Sequence, residues 1–275
     1  MIFSHFQTRP LAQKNAPKIM RISPDLGLTE MEIEKTAVGW LLPSDEILTF
    51  SQIDSINADT NSCFLLDNGQ LQKVQTYSTY TNRYYSLMPT EKAPTMLISG
   101  IPMHRIKDTT PDADTQRKIQ ALKKPFGRVL DTATGLGYTA IQAAQTAQMV
   151  VTIELDAAVI AICKANPWSQ GLFTNPKIHP LLGDSFNLVN MFEDGFFNAI
   201  IHDPPTLSLA GLLYSQELYL RFYRILKNNG RLFHYVGNPD SRSGASVGRG
   251  VVQRLRKAGF KTTPKSRAFG ILAQK

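Results

Sequence analysis

The stretch RVLDTATGLGY, residues 128–138, decides the fold of this 275-residue chain. Its first four residues are typical of a buried strand that ends in Asp131, and a Gly-rich turn then leads into a helical segment. Gly135 and Gly137 would let a ligand approach the backbone at the N-terminus of that helix. A tight strand-to-helix turn without a ligand explains the same pattern equally well, so the flanking sequence has to decide between the two interpretations.

From residue 127 onward, predicted strands alternate with predicted helices. Strands are expected at 128–131, 149–154, 178–182, 198–202, 231–235, 261–264 and 269–273, and helices at 140–147, 157–164, 215–226 and 247–258. This alternation predicts an α/β fold with a doubly wound, mostly parallel, seven-stranded sheet that helices cover on both faces.

The residues that end the strands carry the expected chemistry, because ligands of such sheets bind beyond the carboxyl ends of the central strands. Glu154-Leu155-Asp156 ends the second strand, 17 residues after Gly137. An ionised carboxylate at this spacing can accept hydrogen bonds from two ribose hydroxyls. The third strand leads into Gly183-Asp184-Ser185, and the fourth leads into Asp203-Pro204-Pro205-Thr206. Four strand ends in order therefore predict a nucleoside site.

With these motifs, residues 126–275 resemble the class I S-adenosylmethionine-dependent methyltransferases, which have a Rossmann-like fold. The resemblance implies S-adenosylmethionine as cofactor. It places Asp131 near the methionine amino group, Glu154 on the ribose and Asp184 on the adenine amino group. It also assigns further cofactor-binding residues, namely Ala133, Thr134, Gly135, Gly137, Tyr138, Leu155 and Ser185. Ala133 departs from the family, which most often has glycine there. No phosphate-binding Lys-Ser/Thr pair follows the loop, which argues against a nucleoside triphosphatase.

The resemblance also implies the catalytic residues Asp203, Pro204 and Pro205. In relatives with an Asn/Asp-Pro-Pro-aromatic motif, the acid and a proline carbonyl accept hydrogen bonds from a target amine and aim its lone pair at the sulfonium methyl group. The prolines fix the loop and remove competing donors. Thr206 replaces the aromatic residue and is a candidate substrate contact without base stacking. No cysteine lies near this loop, which disfavours covalent attack on a pyrimidine.

The N-terminal part has a different pattern, so we predict a β-rich domain at 1–107 and the cofactor-binding domain at 108–275. Residues 1–18 are interpreted as a frayed tail. Hairpins are expected around Asn68-Gly69 and Ser99-Gly100, the second with arms at 95–98 and 101–105, and these strands predict one small antiparallel sheet. Residues 29–42 fit a strand or a helix. A helix is expected from Thr110-Pro111 onward.

A small β domain before this kind of fold also resembles the spermidine synthases. These aminopropyltransferases use decarboxylated S-adenosylmethionine, and Asp203 would serve either reaction. Polyamines need an acidic groove, and residues 206–233 contain Glu217 as their single acid, so methyl transfer is favoured. A non-catalytic cofactor-binding module is a third alternative. His104 and Arg105 are candidate substrate residues, and residues 237–250 are interpreted as a mobile lid or phosphate contact.

Net charge and cysteine content indicate which partners and which cellular environment to expect. A net charge of +8 favours anionic partners such as RNA, although a small-molecule amine remains an alternative substrate. Cys63 and Cys163 lack metal-ligand spacing and are expected to be reduced core thiols, so we expect a cytoplasmic protein without a metal site. The longest apolar runs are too short to span a membrane. A homo-oligomer is compatible with the sequence.

Overall fold

The computed structural model describes residues 1–275, and the chain divides into two compact units. Unit 1 contains residues 1–112 and 158–170, and unit 2 contains residues 113–157 and 171–275. The domain boundary near residue 108 stays a prediction. None of the helices combines the length and the apolar composition that crossing a bilayer requires.

Unit 1 is built from short antiparallel strands. They form three small sheets rather than the single sheet that we expected, in the orders β1-β6-β7, β2-β3-β4-β5 and β11-β10-β9-β8. The strands are β1 Ile2–Phe3, β2 Ile19–Ile22, β3 Met31–Lys35, β4 Gly39–Leu41, β5 Ile47–Thr49, β6 Phe64–Asp67, β7 Gln70–Lys73, β8 Gln75–Ser78, β9 Arg83–Met88, β10 Thr95–Ile98 and β11 Ile101–Pro102, and two helices are α1 His5–Thr8 and α2 Phe50–Ala58. Most of these strands pair with their neighbours in sequence through tight turns, which keeps each sheet small.

The N-terminal segment is not a frayed tail, and this expectation was wrong. Ile2 and Phe3 are buried, and β1 pairs with β6. Ser4 then caps α1 in a capping box with Gln7, each side chain serving the other's backbone N–H. Burial of two large apolar side chains outweighs the ordering entropy of so short a segment.

The predicted hairpins are present. Asn68 (φ 50°) and Gly69 (φ 72°) form the first turn, where both residues take the left-handed conformation that two-residue hairpins favour. The second hairpin turns at Ser99-Gly100, but its outer strand β11 ends at Pro102 instead of residue 105. The sequence allowed either a strand or a helix at residues 29–42, and the structure has strands β3 and β4 there.

Unit 2 is organised around a seven-stranded sheet in the order β14-β13-β12-β15-β16-β18-β17. The strands are β12 Arg128–Asp131, β13 Met149–Glu154, β14 Ile178–Leu182, β15 Phe197–His202, β16 Leu226–Tyr235, β17 Lys261–Lys265 and β18 Gly270–Gln274. The first five pair in parallel, whereas β18 pairs antiparallel with β16 and β17. The predicted α/β class and the mostly parallel sheet are therefore confirmed.

The helices from residue 111 onward are α3 Pro111–Ala121, α4 Tyr138–Ala144, α5 Ala157–Ala165, α6 Gly171–Thr174, α7 Ser185–Leu188, α8 Gln216–Ile225 and α9 Arg242–Lys257. All except α5 lie wholly or mostly in unit 2. Ser215 caps α8, which buries Leu218, Tyr219, Phe222 and Ile225 at helical spacing. These side chains join the apolar strand residues in the main core cluster of unit 2.

Residues 237–250 do not form one long loop, and this part of the expectation was wrong. Helix α9 begins at Arg242, where the Ser241 side chain caps the backbone N–H of Gly244. The glycines of this segment lower its helix propensity by about 1 kcal/mol each. Two observations explain why it is helical nonetheless. Val251 is buried in the core cluster, and a side chain at Gly244 would collide with the Asn238 carbonyl at 1.9 Å.

Candidate active site

The strand order brings the predicted site residues to one edge of the sheet. β12 lies between β13 and β15. The strands that follow it in sequence are added first on one side, as β13 and β14, and then on the other, as β15 and β16. Such switch points open a crevice beyond the strand ends. Glu154 and Asp131 are the last residues of β13 and β12, and Asp184 and Asp203 follow β14 and β15. Their order across the edge is Asp184, Glu154, Asp131 and Asp203.

The Gly-rich loop has the conformation that its glycines permit. Gly135 (φ 51°) and Gly137 (φ 79°) are left-handed, and a Cβ at Gly137 would lie 2.2 Å from a carbon of Leu172. Ala133 is absent from the positive-φ residues, so alanine suits this position and the departure from the family pattern costs no backbone strain. Tyr138 begins α4 and is buried.

Asp131 is fully buried beside this loop. Its Oδ2 accepts hydrogen bonds from Thr139 Oγ1 at 2.9 Å and from Thr152 Oγ1 at 3.2 Å, while its Oδ1 is buried without a hydrogen-bond partner. Burial raises the pKa of Asp131 to about 7, and the nearby charge of Asp203 adds to this rise against the opposing hydrogen bonds. The unpaired oxygen is an acceptor for which a cationic ligand group would supply a donor.

Glu154 is held by backbone amides on both of its oxygens. Gly135 N–H donates to Oε2 at 2.9 Å, and Asp156 N–H donates to Oε1 at 3.1 Å. Burial raises the pKa of Glu154 to about 7, although these amide hydrogen bonds oppose the rise. A carboxylate has about four lone-pair sites, so two remain for the hydroxyls of a ribose. Leu155 follows with 44% of its surface exposed, which offers an apolar contact next to that acid.

Asp184 and Ser185, which follow β14, stabilise the local structure. Asp184 caps α7 by accepting the Phe186 N–H at 2.8 Å and the Asn187 side-chain amide at 3.1 Å. The Ser185 hydroxyl donates to the Thr132 carbonyl and so ties this strand end to the Gly-rich loop. The adenine role of Asp184 stays a prediction.

Lys118 on α3 joins the site, and the sequence analysis did not identify it. Its Nζ lies 2.6 Å from Asp203 Oδ2 and 2.9 Å from Asp114 Oδ2, and it sits over the Tyr235 ring at 4.6 Å from the centroid. Burial alone would lower the pKa of Lys118, but the two carboxylates outweigh it and raise that pKa. Burial raises the pKa of Asp203, and the Lys118 ammonium limits the rise. The cluster of two acids and one lysine is thus a charged group of net −1.

A hydrogen bond from Tyr214 holds the Asp-Pro-Pro loop in place. Tyr214 OH donates to the Pro205 carbonyl at 3.0 Å, whereas the Pro204 carbonyl makes no hydrogen bond. Asp203 and Pro204 are partly or fully buried, and the chain emerges at Pro205 and Thr206. Thr206 Oγ1 lies 3.1 Å from Ser208 Oγ in an exposed turn. Asp203 and the Pro204 carbonyl are therefore the acceptors that this loop offers to a ligand.

Two buried histidines lie behind the loop, and sequence reasoning missed both. His202 Nε2 lies 2.7 Å from the Leu213 carbonyl, so it donates there, and Nδ1 accepts from Thr132 Oγ1 at 2.6 Å. Burial lowers the pKa of His202 to about 4, so the ring is neutral. It contacts His234 edge-on, at 4.4 Å between ring centroids. Both rings are neutral, and they support the strand ends by packing behind them.

The remaining predicted residues, His104 and Arg105, belong to unit 1. His104 is tied to the first strand of its hairpin, because its backbone N–H and Nδ1 lie 3.3 Å and 3.1 Å from Thr95 Oγ1. Their role towards a substrate stays a prediction. Cys63 and Cys163 are both buried free thiols, as the sequence indicated.

Comparison with known proteins identifies relatives and the fold. No protein-family model matches the chain. Uncharacterized protein MJ1233 of Methanocaldococcus jannaschii is 42% identical over 231 residues, which are 83% of this chain and 78% of that protein. A spermidine synthase solved with the transition-state analogue AdoDATO superposes with a TM-score of 0.59 at 16% identity, covering 76% of this chain and 77% of its own. Spermidine synthase from Thermotoga maritima gives a TM-score of 0.57 at 16% identity, with 76% of each chain covered.

At such low identity the solved structures establish the fold alone. The predicted resemblance is therefore confirmed at the level of the fold. The chain belongs to the family of MJ1233, and its fold is similar to that of the spermidine synthases.

Proposed function

We propose that this protein is an S-adenosylmethionine-dependent methyltransferase that methylates an amine nitrogen held by Asp203 and Pro204. One observation carries the proposal. Asp203, anchored by Lys118 at 2.6 Å, stands on the strand next to Asp131 and the Gly-rich loop. The acceptor for an amine and the acceptor for a cofactor thus occupy adjacent strand ends.

The cofactor-binding residues fit S-adenosylmethionine in their chemistry. Asp131 Oδ1, buried without a partner, suits the methionine ammonium group. Glu154 keeps two acceptor sites for the ribose hydroxyls, and exposed Leu155 suits one face of the adenine ring. The left-handed Gly135 and Gly137 keep side chains away from the ligand. When bound, this cofactor supplies an electrophilic sulfonium methyl group.

Asp203 orients the nucleophile and takes its proton. A neutral amine donates its N–H bonds to the Asp203 carboxylate and the Pro204 carbonyl, which points its lone pair away from both. Methylation would develop positive charge on that nitrogen. The raised pKa of Asp203 makes the carboxylate a better proton acceptor for that nitrogen. Lys118 keeps the carboxylate in one position throughout.

The charge around Asp203 supports methyl transfer over aminopropyl transfer. Lys118 already compensates Asp203, and the exposed turn that follows offers neutral side chains from Thr206 to Leu209. Glu217, the single acid between residues 206 and 233, is paired with Arg221. A polyamine would need unpaired carboxylates for its distal ammonium groups, and this segment supplies none.

Aminopropyl transfer is the second candidate, and the similarity to spermidine synthase structures favours it. The same Asp203 could accept a proton from an attacking diamine. Incubation with decarboxylated S-adenosylmethionine and putrescine tests it, because formation of spermidine would establish aminopropyl transfer in place of the proposed reaction.

The test of methyl transfer uses S-adenosylmethionine with a tritiated methyl group and three acceptors in parallel: unmodified RNA transcripts, total RNA and a mixture of small amines. We expect incorporation into one acceptor, and a loss of about 100-fold or more in Asp203→Asn, because the amide cannot accept the proton. Asp54→Asn, a change of the same kind at an exposed position of α2, should retain wild-type activity. Full activity in Asp203→Asn would remove Asp203 from the reaction.

A further inference from the structure

The positive charge of the chain is concentrated at its C-terminus. Residues 239–275 contain nine Lys or Arg and one Asp, a net charge of +8, which equals the net charge of the whole chain. Residues 1–238 therefore contain equal numbers of basic and acidic residues. On a uniformly basic surface the excess positive charge would be spread evenly, whereas here it is concentrated and produces a local positive field.

Three of these cations line a groove of about 580 Å³ in unit 2. Its apolar lining includes Val236, Val252, Phe269 and Ile271, and its cationic lining consists of Arg249, Arg256 and Lys257. All three cations are exposed, and none forms an ion pair within the chain; Arg256 makes a single hydrogen bond to Thr262. Their charges are therefore available to a partner.

The cations of α9 form a regular row. Arg242, Arg249 and Arg256 are exposed and recur every seven residues, so they lie on one face of the helix. At a rise of about 1.5 Å per residue, successive guanidinium groups stand about 10 Å apart along the axis. Such a row can follow the backbone of a polyanion, whereas a small anion would contact one position.

An aromatic side chain accompanies the charges. Phe269 lines the groove and has a left-handed backbone (φ 50°), a conformation that is unfavourable for a bulky residue. Aromatic faces beside a basic groove are the features by which proteins bind single-stranded nucleic acid, since bases stack on the rings and phosphates contact the cations. An anionic membrane surface would use the cations alone, so the aromatic lining of the groove favours a nucleic acid.

The groove opens at the same end of the sheet as the proposed active site. β16 runs parallel to β15, with His234 opposite His202, so Tyr235 lies level with Asp203. Gly270 of β18 pairs with Tyr235. Two strand spacings of about 4.8 Å therefore separate the level of Asp203 from the segment that carries Phe269, about 10 Å in all. One flexible strand can reach both places.

We propose that this groove, between α9 and the 265–271 segment, binds a single-stranded segment of RNA and delivers a neighbouring base to Asp203. The delivery rests on the proposed methyl transfer, whereas the binding does not. The phosphates contact Arg249 and Arg256, and one base stacks on Phe269.

The experiment measures fluorescence anisotropy of a labelled single-stranded RNA of about 20 nucleotides, at several salt concentrations and without cofactor. In Arg249→Gln/Arg256→Gln we expect at least tenfold weaker binding near 100 mM salt, and a salt slope smaller by about 1.4, because each phosphate contact on a single strand contributes about 0.7. Lys14→Gln/Arg21→Gln removes two exposed charges from unit 1 and should change neither quantity.

Phe269→Leu separates stacking from charge. It keeps apolar volume at the same backbone position, and we expect binding at least about fivefold weaker with an unchanged salt slope. RNA binding by the wild type without methyl incorporation would contradict the proposed reaction alone, whereas methyl incorporation into a small amine without RNA binding would contradict the RNA-binding groove alone, so the two failures give different results.

Three outcomes would overturn the proposal. The first is wild-type affinity in the double arginine variant. The second is stronger competition by single-stranded DNA of the same sequence than by unlabelled RNA. The third is cation-dependent binding to phosphatidylglycerol vesicles with no RNA binding, which would identify a membrane surface instead.

Discussion

Replacement of Lys118 by methionine removes the central charge of the active-site cluster and leaves the apolar stem. In the wild type, the buried Nζ lies 2.6 Å from Asp203 and 2.9 Å from Asp114. Loss of one partner of a buried ion pair costs about 3–5 kcal/mol, because the remaining charges are uncompensated. With about 2–4 °C per kcal/mol for a domain of this size, we expect the melting temperature to fall by about 6–20 °C.

The effect should depend on pH in a defined direction. In Lys118→Met, Asp203 loses the ammonium group that limits the rise of its pKa, and the Asp114 charge raises that pKa further above the unfolded value of about 4. Groups with raised acidic pKa values destabilise the folded state increasingly as pH rises from about 4. The loss of melting temperature should therefore be larger at pH 8 than at pH 5, which calorimetric or fluorescence melting curves measure.

Two companion variants make the result specific. The added change Asp114→Asn removes one of the two uncompensated charges and should recover part of the lost stability at pH 8. Lys164→Met, at an exposed position of α5, should change the unfolding free energy by about 0.5 kcal/mol or less. A Lys118→Met protein that melts within about 2 °C of the wild type at both pH values would refute the reasoning.

Two further predictions concern the Gly-rich loop. The affinity for S-adenosylmethionine should weaken at least about 30-fold from pH 8 to pH 5.5, because burial raises the pKa values of Asp131 and Glu154 to about 7 and both must be ionised to hold the ammonium group and the ribose hydroxyls. Titration calorimetry should find a flatter profile in Asp131→Asn, which retains only the Glu154 contribution, and a profile as steep as that of the wild type would remove Asp131 from the dependence. Gly137→Ala should lower the unfolding free energy by about 2–4 kcal/mol in urea, since φ is 79° and the new Cβ would lie 2.2 Å from Leu172. Gly211→Ala, which meets no atom within 4 Å, is the matched control and should stay within about 0.5 kcal/mol.

The sheet and the strand-end acids could be predicted because each follows from local pattern. Alternating strands and helices imply a parallel sheet, and the carboxyl ends of parallel strands meet at one edge. The sequence alone therefore places Asp131, Glu154, Asp184 and Asp203 at the strand ends, where the structure has them. The residues that complete the site depend on contacts between distant parts of the chain.

Lys118 shows why those residues were missed. An Asp-Lys pair at positions i and i+4 of a helix usually indicates a solvated surface pair. Here the partner that buries it, Asp203, lies 85 residues away. His202 is one polar residue in an apolar strand. Burial makes its ring neutral, and Thr132 and Leu213, which no local pattern connects to it, orient that ring.

Two wrong expectations have the same origin. The glycines and serines of 237–250 favour a loop by propensity, yet Ser241 caps a helix there and Val251 buries its side chain in the core. Residues 2–3 carry no periodic signal, because two residues are too few, and pairing with β6 decides their conformation. In both places tertiary packing overrides local preference.

The central claim is that the crevice at this sheet edge binds S-adenosylmethionine for methyl transfer. Titration calorimetry with S-adenosylmethionine, its decarboxylated form and methylthioadenosine tests it most directly. We predict that the parent cofactor binds, and that Glu154→Gln weakens it by about tenfold or more because a charged acceptor of the ribose hydroxyls is lost. Tight binding of the decarboxylated form without binding of the parent would contradict the claim.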